Sequence, residues 1–164
     1  MKVMNMTKFY LLSLVFLLFL ISCGVETPEA QITLAAPLHL VAENVFTNGA
    51  SVILLQFDAL NNESYFDGYN IYMSDNQNDL LSDKGSLILN SLGDKSKPTI
   101  PNLTAQSSAS TFFFTVTTFT NNQPFISSNT YWFEVKAYST RYGKASPPSN
   151  ITNVQWLSSP TITN

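Results

Sequence analysis

Tyr131-Trp132-Phe133-Glu134-Val135-Lys136-Ala137-Tyr138 reads as a single antiparallel β-strand. Tyr131, Phe133, Val135 and Ala137 fall on one side of it, and Trp132, Glu134, Lys136 and Tyr138 on the other. The first set is wholly apolar and the second holds both charges. A period of two therefore assigns the first set to a buried face and the second to solvent.

Working upstream, Thr111 to Phe119 (TFFFTVTTF) is β-branched and aromatic throughout and reads as a strand. Tyr69, Ile71 and Met73 alternate after Gly68. Ser51 to Leu60 is another strand, with Ile53, Leu55 and Phe57 inward and Leu54 and Gln56 outward. Asn48-Gly49 is a hairpin turn signal. Pro37 to Phe46 reads as an edge strand, because a proline at its start has no ladder bond to donate. Leu38, Leu40 and Ala42 are assigned to one face of it and His39 and Val41 to the other. Downstream, Tyr142-Gly143-Lys144 is a loop and Ser146 to Trp156 a last strand, opened by Pro147-Pro148. Residues 76–110 form an insertion of mixed polar and apolar pieces that yields no clear element. About seven short strands with turns between them, and no convincing helix, specify an all-β, antiparallel β-sandwich over residues 37–157. No internal repeat points to a propeller or solenoid. Residues 158–164 are a C-terminal tail.

The N-terminus follows different rules. Lys2 and Lys8 precede an apolar run from Phe9 to Ile21, interrupted only by Ser13. Thirteen residues is short of the roughly 20 that span a bilayer, so the run is read as the apolar part of a cleaved signal peptide, residues 1–22. It ends in Leu20-Ile21-Ser22-Cys23-Gly24, which resembles the lipobox of bacterial lipoproteins. The resemblance implies that Cys23 carries a diacylglyceryl group and becomes the first residue after cleavage. Cys23 is the only cysteine of the 164 residues, so it has no disulfide partner in the chain. More than one acyl chain gives stable anchoring to a membrane. Residues 23–36 then form a tether whose thirteen residues after Cys23 reach about 45 Å when extended. Without residues 1–22 the chain has six basic and eleven acidic side chains, a net charge of −5. That balance excludes nucleic acid, which needs a basic footprint, as a partner. Gly24 is not the Asp that marks inner-membrane retention in enteric bacteria, which inclines the placement to the outer membrane of a bacterial envelope.

The strands resemble a fibronectin type III domain. The pattern of that family opens with a proline and an apolar residue, matched by Pro37 and Leu40. Its second strand carries apolar, apolar, Trp at alternate positions, here Ile53, Leu55 and Phe57, so Phe replaces Trp. Tyr69 and Ile71 match its third strand, and Tyr131, Phe133, Val135 and Ala137 its sixth. A leucine usually stands six residues before that tyrosine and forms the tyrosine corner with it; Phe125 stands there in this chain. The resemblance implies that the Tyr131 hydroxyl bonds to backbone near Phe125. It also puts the loop Arg141–Lys144 at the pole where the first strand begins. The matched region is about thirty residues longer than the usual module, and the excess falls in the insertion. This fold class hosts adhesion, spacing and ligand-binding roles alike.

Chemistry-bearing residues are few. His39 is the only histidine, and alternation puts it on an outer face of an edge strand. Asp58, Glu63 and Asp67 share one loop region, where two carboxylates serve a glycosidase only if they flank a substrate. Asp75, Gln77 and Asp79 have the alternate spacing of a calcium loop, but Leu80 stands where the turn glycine belongs and Ser86 where the bidentate Glu belongs. One Cys and one His leave no zinc or haem spacing. No catalytic residue, metal or cofactor is expected. Trp132 and Tyr138, outward on the same strand, and Arg141 and Tyr142 in the loop after it are the side chains suited to a partner-binding surface. Both resemblances together imply a lipid-anchored cell-envelope protein whose sandwich is a non-catalytic binding or spacer module. Its contacts would be the membrane, through Cys23, and another envelope protein or a glycan. The alternative is a small envelope hydrolase or an accessory subunit of one.

Overall fold

The hairpin at Asn48-Gly49 organises the first half of the sandwich. Both residues have positive φ, 51° and 80°, the backbone that a two-residue turn with the twist of its flanking strands requires. The structure is a computed structural model describing residues 32–102 and 108–158. The turn joins β1 (Leu38–Thr47) to β2 (Ala50–Ala59), in register from Thr47↔Ala50 to Val41↔Gln56. β6 (Ser110–Val116) pairs with the other side of β2, and these three strands form one sheet in the order β1-β2-β6.

The second sheet is built on β3 (Gly68–Ser74) and β7 (Thr130–Ser139), antiparallel from Gly68↔Tyr138 to Ser74↔Trp132. Each of its edges is a broken strand. β4 (Ser86–Leu87) and β5 (Ile100–Pro101) both pair with β3, and the chain between them leaves the sheet as a loop over residues 89–98. Thr99 closes the break: the Ile71 N–H donates to its hydroxyl, which donates to the Ile88 carbonyl. On the far edge, β8 (Lys144–Ala145) and β9 (Thr152–Gln155) both pair with β7. Pro147-Pro148 lies between them, and two serine hydroxyls act in place of the ladder. Ser146 accepts from the Ala137 N–H and Ser149 from the Val135 N–H. Of the predicted strand 146–156 only β9 is strand; β8 lies just before that span, and the prolines between the two pieces cannot donate.

Counted as positions, the nine pieces fill seven strand sites, three in one sheet and four in the other. The fold is an all-β, antiparallel sandwich, as the alternation predicts, and it is fibronectin type III-like, as the resemblance implies. Its core is made of Ile53, Leu55 and Phe57 from β2, Tyr69, Ile71 and Met73 from β3, and Tyr131, Phe133, Val135 and Ala137 from β7, all at most 1% exposed. Phe57, at the position where Trp is usual, packs edge-on against Tyr69 at 5.1 Å and stacks on Phe112 at 5.2 Å. The Tyr131 hydroxyl accepts a hydrogen bond from the Ile126 N–H at 2.8 Å, and its ring meets Phe125 edge-on at 4.7 Å. The tyrosine corner thus forms with Phe in the leucine's place.

Two expectations about facing change. Leu38 was assigned inward and is 57% exposed. A bulge between Leu38 and Val41, with His39 at φ 54°, breaks the period of two before Leu40. Glu134 was assigned to solvent and is 2% exposed. The insertion holds a one-turn helix, α1 (Gln77–Leu81), whose end brings Asp83 onto the outer face of β7. Gly68, at φ 148°, is fixed by the insertion too. A Cβ there would overlap the Ile100 carbonyl oxygen of β5. The signal peptide, Cys23 and the tether up to residue 31, and the tail after residue 158, lie outside the described residues.

Candidate functional site

The pole where β1 begins is assembled from three segments distant in sequence. The incoming chain is tied to the loop after β2. The Tyr65 hydroxyl donates to the Thr33 carbonyl at 3.1 Å, and the Ala35 N–H donates to Glu63 Oε1 at 3.1 Å. Asn61, 1% exposed, donates to the Ala35 carbonyl and accepts from the Tyr69 hydroxyl, which connects this pole to the core. Asp67 fastens the third segment. Its Oδ2 accepts from the Thr140 N–H at 2.6 Å and the Arg141 N–H at 3.5 Å. The loop between β7 and β8 is thereby held beside the loop between β2 and β3.

These ties set three side chains in a row. The Arg141 guanidinium lies 5.3 Å from the Tyr142 ring centre, and the Tyr142 ring meets the Tyr65 ring edge-on at 5.7 Å and 86°. Tyr142 is 42% exposed and Arg141 is also exposed. An arginine over an exposed tyrosine, braced by a second tyrosine, offers a cation, two aromatic faces and two hydroxyls at low entropic cost. Tyr65 was not identified from sequence. It sits in a polar loop, and its only distinction is the partner 77 positions away, which no local pattern reveals. The acidic loop 61–67 and the loop 140–143 share this pole.

The four side chains predicted to form one surface are not brought together. Tyr138 is at the same pole, half-buried and opposite Gly68 in β3. Trp132 is at the start of β7, half-buried, opposite Ser74 and Asn153. Six residues of strand separate it from Tyr138, about 20 Å. Between them lies an ion-pair cluster. Lys136 Nζ is 3.1 Å from Glu134 Oε1 and 2.5 Å from Asp83 Oδ1, and 5.2 Å from the Tyr72 ring centre. Burial by itself would lower the Lys136 pKa, but the hydrogen bonds it donates to Asp83 and Glu134 outweigh that and raise it. Lys136 in turn holds the Asp83 carboxyl below the usual carboxylate range.

His39 projects to solvent with its side chain 78% exposed. Its Nδ1 is 3.1 Å from Asp58 Oδ2, and Asp58 Oδ1 accepts from the Thr111 hydroxyl at 2.6 Å. The Thr111 bond first and the His39 bond second draw the Asp58 pKa down. The three groups form a row across β1, β2 and β6. Asp75 is exposed, and Asp79 accepts from the Ser74 hydroxyl at 2.9 Å and so serves α1. Among the described residues no three His, Cys, Asp or Glu side chains cluster as metal ligands.

At the opposite pole a half-open groove of about 790 Å³ lies between the 89–98 loop and the segment after β6. Met73, Ile88, Leu89, Leu92, Lys95 and Phe119 contribute to its walls. Asn90 holds the loop in shape, donating to the Asp94 carbonyl and accepting from the Leu92 and Asp94 N–H groups. Sequence reading missed this groove because one of its walls comes from the insertion.

No family model matches the chain, and no curated protein matches it. Among solved structures, the chain is similar to a Fn3-like protein from Clostridium thermocellum, at 16% identity and a TM-score of 0.43, over 81% of this chain and all of that one. It is also similar to a structure described as a myokine, at 14% identity and 0.41, over 75% of this chain and 97% of that one. A third likeness is to α-L-rhamnosidase from Dictyoglumus thermophilum, at 10% identity and 0.44; it takes in 75% of this chain but 12% of the rhamnosidase. The strand order and registers define the sandwich independently of these likenesses.

Proposed function

We propose that the chain is a lipid-anchored protein of the bacterial cell envelope, outer membrane in preference, whose sandwich is a non-catalytic binding module. In this reading Cys23 carries the lipid, and the Arg141–Tyr142–Tyr65 row contacts another envelope protein or glycan. The observation that carries it is the hydrogen bonding of Thr33 and Ala35 to the loop that bears Tyr65. The row lies where the chain arrives from the Cys23 end, and the nine residues between Cys23 and Thr33, about 30 Å when extended, would keep that pole near the bilayer. Labelling with a fatty-acid analogue tests the anchor: the label is expected on the parent and absent from Cys23→Ala. Capture from envelope extracts tests the surface. Arg141→Ala and Tyr142→Ala are expected to lose the captured component while melting as the parent does, and equal capture by all three would remove the surface.

The small-hydrolase reading has one observation in its favour, the His39–Asp58 contact, since a carboxylate orients the imidazole in hydrolytic triads. The hydroxyl in the row, Thr111, bonds to the carboxylate instead of the imidazole. Ester or peptide hydrolysis that vanishes in His39→Ala would favour this second reading.

A further inference from the structure

A sandwich has four sheet edges, and three of them here are blunted. β1 carries the bulge between Leu38 and Val41, a left-handed His39 and the charge of Glu43. Asn150 also occupies its edge, donating to the Leu40 carbonyl and accepting from the Leu40 N–H, both at 2.8 Å. The β4/β5 edge is split by the 89–98 loop, and the β8/β9 edge by Pro147-Pro148. Such devices stop a row of free N–H and C=O groups from pairing with another chain.

β6 has none of them. It runs unbroken from Ala59↔Ser110 to Ile53↔Val116 against β2, and among the described residues no strand pairs with its second edge. Ser110–Val116 contains no charge, proline or glycine. Phe113 is 61% exposed on the outer face, and Phe112 and Phe114 are half-buried on the inner one.

The residues of this edge also say what it pairs with. Thr111-Phe112-Phe113-Phe114-Thr115 reads the same in both directions. We propose that β6 pairs antiparallel with β6 of a second copy of the chain, about a two-fold axis at Phe113. Two three-stranded sheets then become one sheet of six. Phe113 stands opposite its own copy, Phe112 opposite Phe114, and Thr111 opposite Thr115. Aromatic and threonine pairs are among the favourable cross-strand combinations, and an uncharged strand sets no like charges face to face. The period of two is kept across the axis, so the half-buried rings of Phe112 and Phe114 meet on the inner side and Phe113 is covered on the outer side. A contact of this kind uses the same patch on both copies and closes at two.

Phe113→Cys in the full chain, expressed in a bacterial envelope and mildly oxidised, tests the axis. Opposed residues in a ladder are close enough for a disulfide. A covalent dimer is expected from Phe113→Cys and not from the parent or from Val41→Cys, on the opposite edge. Sedimentation of the detergent-extracted full chain is the second measurement. Phe113→Lys places two like charges on the axis and is expected to weaken the dimer by about tenfold or more, at an unchanged melting temperature of the monomer. Val41→Lys is expected to leave the dimer as it is. The proposal is overturned if Phe113→Cys gives no more dimer than Val41→Cys, if it joins to a different protein instead, or if Phe113→Lys dimerises as the parent does.

Discussion

The two faces of β7 share one alternation and are built on different physics. Tyr131, Phe133, Val135 and Ala137 are at most 1% exposed against the facing sheet. On the reverse, Glu134 is as hidden, at 2%, while Lys136 keeps 12% of its side chain accessible and Trp132 and Tyr138 are half-buried. The inner face gains from every apolar atom it removes from water, at about 25 cal/mol per Å². The outer face gains little in that way. There the attraction between Glu134 and Lys136 must offset the loss of hydration of both charges. Alternation in a sequence thus says which side chains share a face, and an element from elsewhere in the chain decides whether that face is dry.

Tyr131→Ala should give the largest effect. It removes a ring packed between Phe119 and Phe125, at 5.1 and 4.7 Å, and leaves a cavity. A loss of about 3–5 kcal/mol is expected. Tyr131→Phe keeps the ring and deprives the Ile126 N–H of its acceptor, at about 1 kcal/mol. Urea unfolding of both variants checks the order. Equal stabilities of the two would break the contrast by showing that the inner face depends on the hydroxyl and not on packing.

The inner face was legible because two signals agreed there. In β2, β3 and β7 the period of two and the apolar side chains coincide, and each predicted inward residue is buried. Leu38 failed because a single left-handed residue, His39, resets the period, and histidine does not announce that conformation as glycine would. Glu134 failed because the sequence could not show that α1 and Asp83 return to cover it. Of the site, Arg141 and Tyr142 were legible as exposed side chains of a loop between strands. Tyr65 was not, since its role depends on Asp67 fastening a loop more than seventy positions away. The grouping of Trp132 with Tyr138 followed from their shared face, and distance along the strand separates them.

Lys136→Ala should give the next effect. It leaves Glu134 buried without its cation, and a loss of about 2–3 kcal/mol is expected. That is below the usual loss for breaking a fully buried pair, because Lys136 retains contact with water. The double change Glu134→Met with Lys136→Met should recover most of this, since apolar side chains of similar size carry no desolvation cost. Denaturation of the two single variants and the double variant measures the coupling. A Lys136→Ala protein as stable as the parent would mean that the outer face is wet after all.

Asp83 should give the smallest effect, and its size depends on pH. Lys136 holds its carboxyl below the usual value of 3.8, so its contribution is present above that value and lost as pH falls through the lower folded one. The Lys136 pKa is raised, so its contribution is present below the usual 10.5 and lost as pH rises through the higher folded value. Between these limits both partners are charged and the cluster is complete. Asp83 is 81% exposed in its side chain, where water and salt screen an ion pair. At neutral pH, Asp83→Asn should therefore lower the melting temperature by a small fraction of the Lys136→Ala change, and added salt should remove even that difference. In acid, the parent should lose stability toward the level of Asp83→Asn. Melting curves across pH and salt distinguish the cases. If Asp83→Asn falls as far as Lys136→Ala at neutral pH and high salt, Asp83 is the main partner of Lys136, and the outer face is sealed by the α1 segment as firmly as the inner face is by the core.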